Sequence, residues 1–391
     1  MTGPKNRTTL NNQVAIVGIG QTKYESRKDV ALPELIFEAS KKALEDANLE
    51  RKDVDTVILT CQDLVDGRSI ANQTAVGPSG AYLKHETRVC NDGIYAVVLG
   101  YLQILSGHSQ ISLIVSWSKC SETSIDIVTN LWFDPFYYRP IALNEVTALA
   151  LQATRYMQKY GVKEEQAAKV SVRSLLNAFR NPYAHLQARI TIEDVLKSKI
   201  ISWPIKMLYL PPVSDGACAI VMASVSKAKK ITEQPAWIRG IGWNTESYYL
   251  GDRDLANLNS LALAARQAYK MAGIDNPRKQ LQVAEVHTKS SFSELMIYEA
   301  LAFCGKGKGG KFVDEGIPEL EGELPVNPSG GTLSSNPYVA SGLIRVAEAA
   351  LQVMERGEKR QVQDVKVALA HGTFGPCMQG NCVLILGKEP T

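Results

Sequence analysis

Apolar positions in this chain fall into two kinds of run. Short blocks at Val14 to Gly20, Val54 to Thr60, Ile111 to Ser116, Val283 to Val286 and Val365 to Ala370 are mostly apolar. Such runs fit strands covered on both faces. A further short strand is expected to end at Cys90, and Arg68 to Leu83 to be helical in part. Leu32 to Ala47 spaces its apolar residues for one helical face, with Pro33 suited to the first turn. Ile94 to Leu105 is apolar on almost every face, which predicts a helix buried in the interior. Leu343, Val346, Ala347, Ala350, Leu351 and Met354 mark a second helix of helical spacing.

These elements recur in order. Glu38 to Leu49 followed by Val54 to Ile58 is answered by Leu263 to Ile274 followed by Val283 to Val286. Each is a helix, a small-residue stop, a polar loop and a strand. The buried helix, Ser106-Gly107 and the strand from Ile111 are answered by the helix from Leu343, Gly357 and the strand from Val365. A duplicated βα chain with two sheets and helices between and outside them follows. Residues 13–118 with 209–230 are expected to form the first half and 231–391 the second. Residues 119–208 interrupt the repeat and are expected to form a cap over one sheet edge. They hold the aromatic run Leu131-Trp132-Phe133-Asp134-Pro135-Phe136-Tyr137-Tyr138, which suits either substrate contacts or a satellite core. Helices are expected at Leu143 to Tyr160 and Glu164 to Asn177.

The 391 residues, 45% hydrophobic and 21% charged, suit a globular protein with a large core. The net charge of +3 gives no reason to propose nucleic acid or a membrane surface as partner. No apolar run reaches the roughly 18 residues of a membrane span. The polar stretch Met1 to Asn12 reads as a frayed tail without a signal core. The seven cysteines are scattered and include no CxxC pair, so reduced thiols in a cytoplasm are expected, with no disulfide framework and no zinc site in this chain. Gly18-x-Gly20 reads as a strand entering a turn, but lacks the third glycine of a dinucleotide-binding turn.

Four segments carry candidate chemistry. Cys90, in Val89-Cys90-Asn91-Asp92-Gly93, is expected in the first turn of the buried helix, where free N–H groups and the helix dipole favour a thiolate. His287 follows the strand Val283 to Val286. The loop Asn327-Pro328-Ser329-Gly330-Gly331 precedes the second buried helix. The turn from His371 through Cys377 to Cys382 is rich in glycine and could offer N–H groups to an oxyanion.

Together these segments resemble the thiolase superfamily, and within it the sterol-carrier-protein-2 and archaeal types, over residues 13 to 388. Arg155-Tyr156-Met157, Asn181-Pro182-Tyr183-Ala184, Trp203-Pro204, Val213-Ser214-Asp215-Gly216-Ala217, Ser293-Glu294-Leu295, Tyr298-Glu299-Ala300-Leu301 and the Asn327 loop carry the likeness. The resemblance implies an α/β fold of five layers, αβαβα. It implies thiolytic cleavage of a 3-oxoacyl-CoA, with coenzyme A as co-substrate and Cys90 as the acylated nucleophile. His287 falls where the family holds the thioester oxygen. Thr288 and Lys289 stand where Asp and Cys are usual, and Asn336 replaces the histidine of a His-Pro pair. Asn336 can donate a hydrogen bond but cannot take a proton at neutral pH. Activation of Cys90 then falls to the dipole, His371 or His287. Cys377 is expected to be the acid/base for the substrate α-carbon, with Cys382 the alternative. The resemblance extends to thiolases that pair with a small zinc-ribbon and oligonucleotide-binding-fold subunit, and to a homodimeric core. The aromatic run would suit a benzoyl group, as in cleavage of 2-benzoylsuccinyl-CoA to benzoyl-CoA and succinyl-CoA. Arg155, Arg173 and Arg180 are candidates for the nucleotide of coenzyme A. A retro-aldolase acting on a CoA ester, a ketoacyl synthase and a non-catalytic scaffold subunit are the rival readings.

Overall fold

The computed structural model describes residues 14–389; the polar stretch at 1–12 lies outside them. The first half comprises β1 (Val14–Gln21), α1 (Leu32–Asp46), β2 (Thr56–Thr60), β3 (His85–Val89), α2 (Gly93–Leu105), β4 (Ile111–Lys119) and, after the insertion, β5 (Asp215–Ser224). The second comprises β6 (Ala236–Thr245), α5 (Asn259–Ala272), β7 (Val283–Val286), α6 (Ser291–Ala300), α7 (Ser341–Val353), β8 (Val367–Phe374) and β9 (Gly380–Gly387). Between them lie α3 (Glu145–Tyr160) and α4 (Glu164–Ala178). The stretch 68–83, expected to be partly helical, contributes only the short 3₁₀ turn Ala71–Ala75.

The strands run in the order β3-β2-β4-β5-β1-β6-β9-β8-β7. Among the described residues its two parts pair only through β1 and β6, at Ala15↔Trp237 and Ile16↔Ala236. On either side of that seam the pairing repeats. β1–β5 and β5–β4 are antiparallel and β4–β2 is parallel. β6–β9 and β9–β8 are antiparallel and β8–β7 is parallel. Even β3, parallel to β2, has a remnant counterpart: Val326 bridges in parallel to Ala284 of β7.

Both faces of each half-sheet are buried, which explains the unbroken apolar runs. Val14 and Ile16 face a central core shared with Ile94 and Val97 of α2 and Leu343 and Val346 of α7. Ala15 and Val17 face α1 through Leu35, Ile36 and Ala39. Leu369 and Val383 face the outer layer of the second half, with Leu261, Ala264 and Ala268 of α5. The result is five layers: helix, half-sheet, the pair α2 and α7, half-sheet, helices.

The Gly-Ile-Gly of β1 is not a turn. Gly18 and Gly20 lie within the strand, and a Cβ there would stand 2.5 and 2.2 Å from the carbonyl oxygens of Ala43 and Ala39 in α1. Gly240 and Gly242 of β6 make the same approach to Ala268 and Ala264 of α5, at 2.2 and 2.0 Å. The pair of glycines is therefore part of the duplication, spent on close strand–helix packing.

The insertion packs on the second half. Ala153 and Tyr156 of α3 and Ala168 and Val170 of α4 share a core with α5 and α6 of the second half. Polar ties reinforce it: Arg173 pairs with the buried Glu294, and Ser171 Oγ lies 2.7 Å from Ser291 Oγ. The aromatic run divides. Phe133 is buried with Leu143, Ala148, Leu250 and Cys377, whereas Phe136 and Tyr137 are 81% and 71% exposed. Among the described residues no helix is long and apolar enough to cross a membrane.

Candidate active site

The N-termini of α2 and α7 meet beneath a cavity of about 260 Å³. Asp92 makes the junction. As N-cap of α2 it accepts from the Ile94 N–H at 3.0 Å, and its second oxygen accepts from the Gly342 N–H of α7 at 2.9 Å. Gly342 permits this approach, since a Cβ there would fall 1.6 Å from Asp92 Oδ1. Cys90 therefore sits two residues before the cap, not in the first helical turn as expected, and Asp92 takes the helix N–H. Cys90 is exposed and lines the cavity, and its carbonyl accepts from Gln62 Nε2 at 3.0 Å.

His287, at the end of β7, places Nδ1 3.1 Å from Asp92 Oδ2, off the line of a hydrogen bond, and its Nε2 has no partner among the described residues. Burial, helped by the Lys289 and Arg345 charges, holds its pKa well below the usual value, so the ring is neutral at pH 7. Burial pushes Asp92 the other way, to about 7, against the hydrogen bond from Ile94 and the charge of Lys289. Asp92 is thus poised to take up a proton near neutrality, beside a histidine that stays neutral.

The loop Asn327 to Gly331 aims this strand end. Asn327 Oδ1 accepts from the Val286 N–H at 2.7 Å and its Nδ2 donates to Glu294 at 3.1 Å. Ser329 donates to Glu285 from N and Oγ, and Arg345 pairs with the same carboxylate. Thr288, which departs from the family pattern, donates its hydroxyl to Glu294, and its N–H bonds Thr332 Oγ1 at 2.9 Å. Its part here is to fix the turn.

The remaining expected site residues do not line the cavity with Cys90. Asn336 is buried; its side-chain oxygen accepts from Ser341 Oγ at 2.7 Å, and its backbone exchanges hydrogen bonds with Ser214. Tyr338 and Val339, two residues on, line the cavity instead. His371 is fully buried in β8 and its Nε2 lies 3.0 Å from Asn381 Oδ1. That oxygen can only accept, so Nε2 carries the proton; burial lowers this histidine to about 4. Cys377 does not face the nucleophile. Its thiol points into the satellite core and lies 3.2 Å from the Ala148 carbonyl, and burial raises its pKa to about 12. Cys382 is a core residue of β9 between the half-sheets. Of the three arginines suggested for coenzyme A, Arg173 is buried against Glu294 and Tyr298, which commits it to the fold.

The aromatic run supplies Trp132 to the cavity wall, while sequence reasoning missed three groups around it, Lys289, Tyr338 and Glu145. Trp132, Lys289 and Tyr338 line it with Cys90. Lys289 Nζ lies 3.2 Å from Glu145 Oε1 and 5.2 Å from the centre of the Tyr338 ring, and Tyr338 donates to Glu145 Oε2 at 2.8 Å. Lys289 is only 6% exposed. The pointer to it was present: a lone lysine in the otherwise uncharged stretch from Val286 to Ser293. Glu145, 144 residues away, gave no such pointer.

Comparison with known proteins agrees with this architecture. Residues 14–201 match the model of the thiolase N-terminal domain and residues 242–388 that of the thiolase C-terminal domain-like family. An acetyl-CoA acetyltransferase of Methanocaldococcus jannaschii is 30% identical over 92% of this chain and 93% of its own. The benzoylsuccinyl-CoA thiolase subunit BbsB of Thauera aromatica is 26% identical over 95% of this chain and 97% of its own. Among solved structures, an Ltp2-ChsH2(DUF35) aldolase superposes with a TM-score of 0.84 at 26% identity, covering 97% of this chain and 99% of that one. With both family halves matched in order and the duplicated five-layer fold in place, the chain belongs to the thiolase family of acyl-CoA C-acyltransferases.

Proposed function

We propose that this enzyme cleaves a 3-oxoacyl-CoA by thiolysis through an acyl-Cys90 thioester. The observation that carries the reading is Cys90 itself, exposed on the wall of a cavity at the meeting point of the two central helices. Asp92, next but one in sequence, accepts the thiol proton, beside the neutral His287 ring whose Nδ1 stands 3.1 Å from Oδ2. The thiolate attacks the keto carbon, the carbon–carbon bond breaks, and coenzyme A then removes the acyl group. One difficult step becomes two easier ones. Asn336 belongs to the shell that holds Tyr338 and Val339 in place, as its bonds to Ser341 and Ser214 suggest.

Trp132, Tyr248, Phe374 and Tyr338 give the cavity an aromatic wall. Flat rings stack well on such a wall, which favours an aromatic acyl group, with 2-benzoylsuccinyl-CoA as the specific substrate. The likeness to BbsB supports that choice. The core is a homodimer, and a small zinc-ribbon and oligonucleotide-binding-fold subunit covers the apolar groove lined by Leu186, Ile201, Met207 and Pro211. The pairing named in the Ltp2-ChsH2 structure supports a partner of that type.

That same likeness favours a second reading, a retro-aldol cleavage of a CoA ester, which has no use for a nucleophilic thiol. Intact-mass measurement after mixing the protein with a panel of acyl-CoA esters, benzoyl-CoA included, separates the two. Thiolysis predicts a benzoyl adduct that disappears in Cys90→Ala. Carbon–carbon cleavage that survives in Cys90→Ala would establish the aldolase.

A further inference from the structure

We propose that Lys289 is the proton donor and acceptor for the substrate α-carbon and for the incoming coenzyme A thiol, in place of a second cysteine. The inference rests on the thiolysis reading and deepens it. Cleavage leaves an electron pair on the α-carbon, and some group beside Cys90 must supply a proton to it. Both cysteines expected there are unsuited: Cys377 directs its thiol at the Ala148 carbonyl, and Cys382 is packed between the half-sheets. The other protic groups on the cavity wall are already engaged. Tyr338 donates its hydroxyl to Glu145, Tyr248 donates to the Trp132 carbonyl at 3.0 Å, and the proton that Asp92 takes from Cys90 must stay on Asp92 for Cys90 to end the cycle as a thiolate.

Lys289 differs. An ammonium carries three protons. Of the carboxylate that faces it, one oxygen is taken by Tyr338 and the other lies 3.2 Å from Nζ. Protons are left for the cavity that Lys289 shares with Cys90. The backbone holds it there: its N–H bonds Ser293 Oγ at 3.1 Å, and Ser290, the next residue, caps α6. Glu145 faces this charge at 3.2 Å inside a nearly closed site. A substrate carboxylate placed on Lys289 would stand against Glu145, which argues for proton transfer over carboxylate recognition.

The cycle closes without an external reagent. The Cys90 thiolate bonds to the keto carbon and the carbonyl electrons move to oxygen. Their return breaks the bond to the α-carbon, whose pair is held as the enolate of the departing thioester. Lys289 gives that carbon a proton and becomes an amine. The amine takes the thiol proton of entering coenzyme A, whose thiolate displaces the Cys90 thiolate. Lysine and cysteine end as they began.

Two readouts on one sample test this: hydrogen–deuterium exchange at the α-carbon of acetyl-CoA and of succinyl-CoA in D₂O, and acylation of Cys90 by benzoyl-CoA and by 4-nitrophenyl thiobenzoate, whose leaving thiolate needs no proton. Lys289→Met should lower α-exchange by about a thousandfold and slow acylation by benzoyl-CoA, whose coenzyme A leaves with a proton from Lys289, while acylation by the nitrophenyl thioester stays within about tenfold of wild type. Lys289→Arg keeps the cation beside Glu145 but cannot release a proton at neutral pH, and should lose exchange equally. Should Lys289→Met fail to fold, Lys289→Arg alone decides the matter. Exchange within about tenfold of wild type in a folded, acylated variant would overturn the role of Lys289. Absence of Cys90 acylation in the wild type would overturn the thiolysis reading, and this inference with it.

Discussion

At the scale of single residues the site is a problem of placing charge in a closed interior. Asp92 is fully buried, caps one helix, reaches the first turn of a second, and touches a neutral histidine. Desolvation opposes its ionisation, so its carboxyl titrates at about 7 instead of 3.8. If it accepts the Cys90 proton, the ionised form is the active one. As pH falls through about 7 the carboxylate is protonated and kcat/KM should fall with it. Asp92→Asn retains an oxygen to cap Ile94 but cannot ionise. It should remove the inflection near pH 7 and lower kcat/KM by about a hundredfold or more, as read from a pH–rate profile. Stability should move the opposite way. A carboxyl whose pKa is raised on folding favours the fold most below its unfolded value. That contribution is lost as pH rises from about 3.8 to 7, and Asp92→Asn should flatten this part of the stability curve.

At the scale of elements, the decisive contact is between the N-termini of α2 and α7. Each contributes a glycine to it. A Cβ on Gly93 would come within 2.7 Å of Leu343 Cβ, and one on Gly342 within 1.6 Å of Asp92 Oδ1. Helix propensity alone would favour alanine at position 342 by roughly 1 kcal/mol. The clash is larger, because α2 and α7 sit between two half-sheets and cannot separate freely. Gly342→Ala is expected to destabilise by about 3 kcal/mol in chemical denaturation, against its propensity, and to displace Asp92 from the cavity. The insertion shows the same dependence on packing across elements. Glu145 begins α3, Lys289 precedes α6, and Tyr338 precedes α7, yet the three form one cluster.

At the scale of the whole molecule, the order of strands leaves β3 at one end of the sheet, paired among the described residues only with β2. Tyr82 and Leu83, just before it, are 72% and 88% exposed. An unpaired edge flanked by apolar residues is a template for a second copy, and twofold pairing there would close it. If the homodimer forms along β3, Leu83→Asp should weaken self-association at least about tenfold by burying two like charges near the axis. Light scattering across a concentration series measures this; an unchanged dimer would place the interface elsewhere.

Much of this was legible in the chain. The continuous apolar runs required strands covered on both faces, and the repeated order of helices and strands required two like halves. The apolar helix before Ile111 had to lie inside, since no surface could accept it. These follow from local pattern and burial, which a sequence carries directly. The glycine pairs of β1 and β6 belonged to the same repeat, but their meaning depended on how near a helix comes. The thiol of Cys377 lay in the expected turn, yet its direction was set by the satellite core of Phe133, Leu143 and Leu250. The helix dipole expected to act on Cys90 is met first by Asp92, because the cap falls two residues later. The partners of Lys289 come from positions 145 and 338, brought together only when the insertion packs on the second half. Pattern along a chain fixes which residues must be buried and in what kind of element. Which side chains then share a cavity, and which protons are free within it, is decided by contacts between residues far apart in sequence.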